Sequence, residues 1–319
     1  MSSEFDLIAR FFIRPTPGIT LGIGDDCALL TPGPGMQTTI SCDMLVSGVH
    51  FFADTDPKQL GHKALAVNLS DLAAMGATPL AFTLALSLPS SDETWLKPFS
   101  DGLFTLAEKH HCRLIGGDTT QGPLNICITV FGEVPPGEAL RRDHAREGDD
   151  IWVSGTLGGA RAALEFLRGT ISLDTAVVGP ALSHLQMPVP RVELGMAVRP
   201  HAHAAIDLSD GLIGDLSHIL NRSTMGATLN IDTLPANVAL HDLPHHFQLR
   251  CMLAGGDDYE LCFTAPVSSR NAIIEAAHQT KIAVSMIGTI EKEPGLRLVN
   301  AKGEPQTFSE KSFDHFSAT

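Results

Sequence analysis

Two mixed α/β domains are the architecture this sequence predicts, on three observations. Its 319 residues suffice for two domains of ordinary size, each with its own core. Apolar strand-like runs alternate with segments of helical period along the whole chain. Near the middle, Pro135-Pro136-Gly137 and an almost wholly polar stretch at 141–150 interrupt that alternation. The break divides the chain into residues 1–137 and 138–319.

Taken in order, residues 4–12 read as a short amphipathic helix with Phe5, Ile8 and Phe12 on one face. Residues 21–30, LGIGDDCALL, put two carboxylates between a glycine turn and an apolar run. A strand at 38–41 delivers Asp43, and a helix at 57–75 ends at Gly76. The run 80–88, LAFTLALSL, is apolar enough for a strand covered on both faces. A helix at 92–110, a short strand at 113–115 running into Gly116-Gly117-Asp118, and a strand at 124–134 complete the first half. Beyond the break come a strand at 151–154, a helix at 158–167 and a helix leading to Val198. The segment 205–211, AIDLSDG, follows, then a helix to Leu220 and a strand near 227–231. Gly255-Gly256-Asp257-Asp258-Tyr259-Glu260 precedes a strand at 261–264. A helix at 269–278, a strand at 282–290 and a polar tail close the chain.

Composition narrows the function. Lys and Arg number 22 against 36 Asp and Glu, a net charge of −14. That disfavours nucleic acid, whose phosphates call for basic side chains. A phosphorylated small molecule remains compatible, with metal ions bridging it to an acidic surface. No apolar run is long enough to cross a bilayer, and the first residues do not read as a secretion signal. Six cysteines without C-x-x-C spacing read as buried free thiols of a cytoplasmic protein. The P-loop pattern fails because no Lys follows a Gly, and the protein-kinase catalytic-loop and DFG patterns are missing.

Six stretches set Asp beside glycine, at a strand end, or inside an apolar helix: Asp25-Asp26, Asp43, Asp71, Asp118, Asp207 with Asp210, and Asp257-Asp258. Asp71 is the most telling. It is the only charged residue from 64 to 77 and lies in the last turns of its helix, where the dipole disfavours a carboxylate by about 0.3–1 kcal/mol. A cation would relieve that cost, and Asn68 lies three residues earlier on the same face; the alternative is an exposed or capped helix end. Asp118 and Asp257 follow Gly-Gly, where a phosphate can lie against the backbone; each alone is equally a tight turn. Asp210 is either a ligand or an N-cap. So many carboxylates round one site ionise together only with several cations, and polyphosphate with Mg²⁺ supplies them. Arg141-Arg142 is either a phosphate clamp or a solvated linker pair.

The motifs GIGDDCALL, VSGVHF, HKALAVNLSDLAAMGATP, LIGGDTT, AIDLSDGL and GGDDYELCF, in this order, resemble those of the thiamine-monophosphate kinases, from Phe5 to Phe313. That family is related to aminoimidazole-ribonucleotide synthetase, selenophosphate synthetase and a hydrogenase-maturation protein. The resemblance implies an N-terminal α/β domain that forms a homodimer, a C-terminal α/β domain, and ATP held by several Mg²⁺ ions. It implies transfer of the γ-phosphoryl group of ATP to thiamine monophosphate. By position, Asp26, Ser41, Cys42, Asp43, Asp71, Asp118, Asp207 and Asp210 match metal ligands, with Asp25 of lower weight. Gly117, Asp118, Arg142 and Ser209 match nucleotide contacts, and His50, Asp257 and Phe313 match substrate contacts. Two positions depart from the pattern: Cys42 stands where Thr is usual, and Asp257 replaces the Glu of GGEDYEL. A main-chain ligand would make Cys42 equivalent to Thr; a hydroxyl ligand would not.

Direct transfer between phosphates requires positioning and charge neutralisation rather than a covalent nucleophile, and no Ser-His-Asp or activated-Cys arrangement is visible. The competing functions are another ATP-dependent synthetase of the superfamily, a non-catalytic maturation protein, and a metal-dependent phosphatase. Selenophosphate synthetase would carry a reactive Cys or selenocysteine in a glycine-rich leader, and the maturation protein a terminal Cys. This chain has no Cys after Cys262.

Overall fold

The computed structural model describes residues 4–310 and 312. They form two compact units, one running through Leu72 and from Ala77 to Gly137, the other joining Ala73–Gly76 to the chain from Glu138 onward.

The first unit opens with α1 (Glu4–Leu7), which continues as a π turn over Ile8–Phe12. The N–H of Ile13 donates to the Ile8 carbonyl at 3.2 Å. This wider turn buries Leu7, Phe11 and Phe12 and leaves Ile8 half-buried, so the expected stripe is only partly found. The Phe5 side chain lies outside the described residues. The chain continues through β1 (Gln37–Val46), α2 (Pro57–Ala74), β2 (Thr78–Leu88), α3 (Glu93–Lys109), β3 (Arg113–Gln121) and β4 (Asn125–Val134).

Four strands pair in the order β1-β4-β2-β3. β4 runs antiparallel to both β1 and β2, while β3 is parallel to β2, the hand-over made by α3. Asp92 caps α3 by accepting from the Thr94 N–H at 2.8 Å, as its position before the apolar-periodic run requires. α2 ends at Gly76, whose N–H donates to Ala73 while Ala77 donates to Leu72. One face of the sheet is packed: Phe82, Leu86, Ile126, Ile128 and Val130 are buried. The other is open within this chain. Ile40 is 65% exposed and Met44 55%, and Ala85 is exposed on β2. The expectation of two covered faces for β2 is thus met on one face by this chain alone.

The second unit carries β5 (Asp150–Ser154), α4 (Gly159–Leu167), α5 (Thr175–Gln186), α6 (Val192–Val198), β6 (Ala204–Asp207), α7 (Leu212–Ser223), β7 (Gly226–Asn230), α8 (His245–Ala254), β8 (Leu261–Ala265), α9 (Arg270–Thr280), β9 (Val284–Glu291), β10 (Gly295–Val299) and β11 (Pro305–Gln306). Seven strands order as β11-β10-β7-β9-β5-β8-β6. Only β10 and β7 pair in parallel. β5 and β8 are buried at every position; the core around them includes Ile151, Val153, Ile206, Leu216, Ile219 and Leu253. β10 and β11 lie where a polar tail was expected.

No helix among the described residues is long and apolar enough to cross a membrane. All six cysteines are free, but only Cys112, Cys251 and Cys262 are buried. Cys27 and Cys42 are exposed, against the expectation of buried thiols.

Candidate functional site

Strand alternation gathers the first group of polar residues. Ser41 and Asp43 sit two apart on β1 and so share a face, the one turned to α2. The Ser41 hydroxyl donates to Asp71 Oδ2 at 2.5 Å. The Asp43 N–H donates to Asn68 Oδ1 at 3.0 Å, and the Asn68 amide donates to the Ala64 carbonyl at 3.0 Å. Asn68 is buried and Asp71 half-buried near the end of α2, as the apolar sequence around them foretells. Cys42, between the two, points to the opposite face with its Sγ 3.4 Å from that of Cys127. Any part for Cys42 beside Asp43 therefore falls to its main chain.

Asp26 occupies the exposed tip of a loop whose ends are pinned by reciprocal bonds between Leu21 and Leu29, 2.9 and 3.4 Å long. Its N–H donates to Asp25 Oδ1 at 2.9 Å, which turns Asp25 back onto the loop. Asp118 differs from expectation in its setting. The strand does not stop at Ile115 but runs on through Gly116-Gly117-Asp118 to Gln121. Gly117 has φ +147°, and a Cβ there would lie 1.9 Å from the Leu84 carbonyl oxygen. Only glycine fits, and Asp118 beside it is exposed. His50 sits in the turn after β1, its Nδ1 accepting from the Val46 N–H at 3.0 Å. A neutral ring there carries its proton on Nε2.

In the second unit the two aspartate motifs are laced together by backbone bonds. Asp257 N–H donates to Ser209 O at 2.9 Å, Tyr259 N–H to Leu208 O at 2.8 Å, and Leu208 N–H to Glu260 O at 2.8 Å. Gly256 lies so close that a Cβ would come within 2.4 Å of the Ser209 oxygen. Asp207, at the end of β6, is buried; Ser209, Asp210 and Asp257 are half-buried. The structure thus gathers Asp207, Ser209, Asp210 and Asp257. Asp257 and Tyr259 adopt φ of +68° and +49°, a left-handed conformation costing about 1–2 kcal/mol per non-glycine residue.

Asp210 is not the cap of α7. That place belongs to Gly211, which makes no side-chain cap bond. Instead Asp215, one turn on, accepts from the N–H groups of Asp210 (3.1 Å) and Gly211 (3.0 Å) through a single oxygen, Oδ2. Burial first, and the neighbouring Asp210 charge second, push the Asp215 carboxyl up to about 7. The Arg142 guanidinium opposes that shift, which places it within electrostatic reach of this group. Its main chain is fixed by the Ser223 hydroxyl, 2.9 Å from Arg142 O. Arg141 engages Asp143 instead, at 2.9 and 2.6 Å. Phe313 lies outside the described residues.

Two groups escaped the sequence, and a third, Asp258, stands in the acidic stretch 255–258 without its role showing there. Asp215 is a lone carboxylate in the apolar run LIGDLSHIL, the signal that marked Asp71. The pair Glu260–Arg191 and the bonds made by Asp258 had no such signal, because their partners are distant in sequence. Asp258 accepts from the Gly158 N–H at 2.7 Å and the Ala160 N–H at 3.4 Å. Glu260 is buried and takes both Arg191 Nε (2.6 Å) and Nη2 (2.5 Å), with the Ser154 hydroxyl at 2.5 Å.

Among the described residues no three His, Cys, Asp or Glu side chains converge to hold a metal ion unaided. What the chain offers is smaller sets, Ser41 with Asp43 and Asp71, and Asp207 with Ser209 and Asp210. Such sets fit Mg²⁺, which is commonly held by one or two carboxylates together with substrate phosphates.

The chain belongs to the AIR synthase related proteins. The family's N-terminal domain model matches residues 24–134 and its C-terminal domain model residues 146–300. The chain's relatives within the family include thiamine-monophosphate kinases. That of Salmonella typhimurium is 46% identical, over 98% of each chain. The crystal structure of the Stenotrophomonas maltophilia thiamine-monophosphate kinase is 47% identical with a TM-score of 0.85, covering 94% of this chain and 95% of that one. AaThiL complexed with AMPPCP and TMP is 28% identical with a TM-score of 0.78, covering 90% and 89%.

Proposed function

We propose that this kinase transfers the γ-phosphoryl group of ATP to the phosphate of thiamine monophosphate, giving thiamine diphosphate and ADP. The observation that carries the proposal is the match to thiamine-monophosphate kinases over 98% of the chain. An ionised phosphate oxygen of the acceptor attacks Pγ, the bond from Pγ to the bridging oxygen breaks, and ADP leaves. The acceptor oxygen is already anionic, so no general base is required. Positioning and charge neutralisation are what the protein supplies.

Asp26, Ser41, Asp43, Asp71, Asp118, Asp207 and Asp210, with the Cys42 main chain, are the groups that would hold Mg²⁺ in this assignment. Mg²⁺ held there would supply positive charge to offset that of the transferring phosphoryl group. Gly117, Asp118, Arg142 and Ser209 contact ATP; His50, Asp257 and Phe313 contact thiamine monophosphate. Asp257 is one carbon shorter than the usual Glu, and its left-handed backbone sets the direction in which the shorter side chain reaches.

The protein acts as a homodimer in the cytoplasm. The open sheet face bearing Ile40 and Met44 supports a second copy as its cover, and the six free cysteines support a reducing compartment. Light scattering should give twice the chain mass at micromolar concentration; a monomer mass counts against the dimer.

The deciding experiment is a coupled assay. ADP and thiamine diphosphate should appear in equal amounts with ATP, Mg²⁺ and thiamine monophosphate. Omitting Mg²⁺ or replacing the substrate with free thiamine should abolish both. ATP hydrolysis without a thiamine product overturns the proposal.

A further inference from the structure

Five non-glycine residues among those described have positive φ: His111, Thr224, Asp257, Tyr259 and Lys281. Three of them end helices. His111 follows the cap of α3, and Thr224 and Lys281 cap α7 and α9. Asp257 and Tyr259 have no such excuse, and they flank a single residue, Asp258. Backbone held in a sparsely populated region persists only where its surroundings over-determine it. The surroundings here are specific. The main chain on either side is tied to Ser209 and Leu208. Between these ties, the buried Asp258 carboxylate takes the Gly158 and Ala160 N–H groups at the start of α4. That helix has a glycine at its N-cap position and no side-chain cap of its own, so a residue from a hundred positions away supplies one. The His184 ring bonds the Asp258 main chain. Its Nδ1 lies 3.1 Å from the Asn237 amide nitrogen, which also donates to Thr156 Oγ1 at 2.9 Å.

We infer that Asp258 is a positioning residue for substrate binding: anchored on the α4 N-terminus, it locks the left-handed turn that aims the Asp257 side chain. The inference rests on the proposed function, in which Asp257 contacts thiamine monophosphate. Asp258 itself touches no substrate. A short Asp257 side chain depends on its backbone direction more than a long one does, because it has fewer torsions with which to compensate. Misplacement of a contact by about an ångström costs up to about a hundredfold.

The test is a double-mutant cycle on the full chain with Mg²⁺-ATP. Asp258→Asn keeps shape and one acceptor oxygen. It should raise the KM for thiamine monophosphate about tenfold or more, while the KM for ATP stays within about twofold. In Asp257→Asn the further change Asp258→Asn should add almost nothing, because residues acting as one unit are non-additive. His184→Gln, which releases the main chain rather than the carboxylate, should show the same split between substrates should Asp258→Asn fail to fold. An unchanged KM for thiamine monophosphate in Asp258→Asn overturns the inference. So do a rise in both KM values with a fall in Tm, and a double mutant whose effects simply multiply. A wild-type enzyme that forms no thiamine diphosphate would instead refute the underlying function.

Discussion

Gly116-Gly117-Asp118 and Gly255-Gly256-Asp257 are the same three residues in sequence, and the fold treats them in opposite ways. The first lies inside a strand. Its backbone pairs with β2, and Asp118 stands exposed. The second is a strained loop whose backbone is bonded to Ser209 and Leu208, and whose neighbours Asp258 and Glu260 are buried against N–H groups, a hydroxyl and a guanidinium. The contrast extends to the units around them. In the first, Asp26 and Asp118 are exposed, and Asp71 accepts the Ser41 hydroxyl at the unfavourable end of its helix dipole. In the second, Asp215, Asp258 and Glu260 are already satisfied by the protein. Carboxylates of the first kind are those proposed above to hold a cation; those of the second kind are bonded within the fold around them.

Substitution separates the two kinds. Asp71→Asn should lower kcat/KM by orders of magnitude, while Tm in the absence of metal holds or rises, since Asn still accepts the Ser41 hydroxyl and carries no charge. Near-wild-type activity would remove Asp71 from the metal site. Glu260→Gln should do the reverse. It leaves Arg191 buried with an imperfect partner, and breaking such a pair costs about 3–5 kcal/mol. Denaturant unfolding should show that loss as a lower midpoint. If Asp71→Asn loses as much stability as Glu260→Gln, the distinction between the units fails.

Most of this was legible in the sequence where the signal is local. The helix over α2 and its stop at Gly76 follow from apolar periodicity and a glycine; the helix expected at 92–110 is found at Glu93–Lys109, with Asp92 as its cap. α5 was missed because Gly179 and Pro180 interrupt its pattern, and α8 because His245 and His246 open it without a cap. β10 and β11 were missed because they lie toward an edge of their sheet and carry no buried, alternating face. The carboxylates of the candidate site were visible as lone charges in apolar or glycine-rich settings. Their supports were not, since Gly158 and Asp258, or Arg191 and Glu260, meet only after the chain folds.

A pH dependence sharpens the comparison further. Burial holds the His184 ring below its usual pKa of 6.5, against the pull of Glu260. A base with a depressed native pKa stays neutral while the unfolded chain takes up a proton. Its contribution to stability is therefore present above about 6.5 and is lost as pH falls through the native value. One such group gives a slope of at most about 1.4 kcal/mol per pH unit. The Tm of the wild type should fall more steeply between pH 7 and pH 5.5 than that of His184→Gln. Parallel curves would show that His184 is not part of the satisfied network.

The smallest effect expected comes from the far end of the chain, where the second unit secures one more of its own polar groups. Gly214 lies in the first turn of α7, and its N–H donates to the Ser312 hydroxyl at 2.9 Å. An added Cβ would meet Ser312 Cβ and Oγ at 2.6 Å, and no other described residue outside α7 within 4 Å. Ala is favoured over Gly inside a helix by about 0.8–1.0 kcal/mol, so Gly214→Ala strengthens α7 and evicts Ser312 at once. The ion pair between Arg250 and Glu310, 2.8 Å long, is half-exposed and adds little on its own. The variant should thus keep or slightly raise Tm, while the tail from 308 onward becomes more readily cleaved by protease. Because Phe313 is a proposed substrate contact one residue beyond Ser312, the KM for thiamine monophosphate should rise by a few-fold and the KM for ATP should not. A tail that loosens with no change in either KM would leave Ser312 as a cap for α7 and no more, and would remove the C-terminal segment from the substrate site.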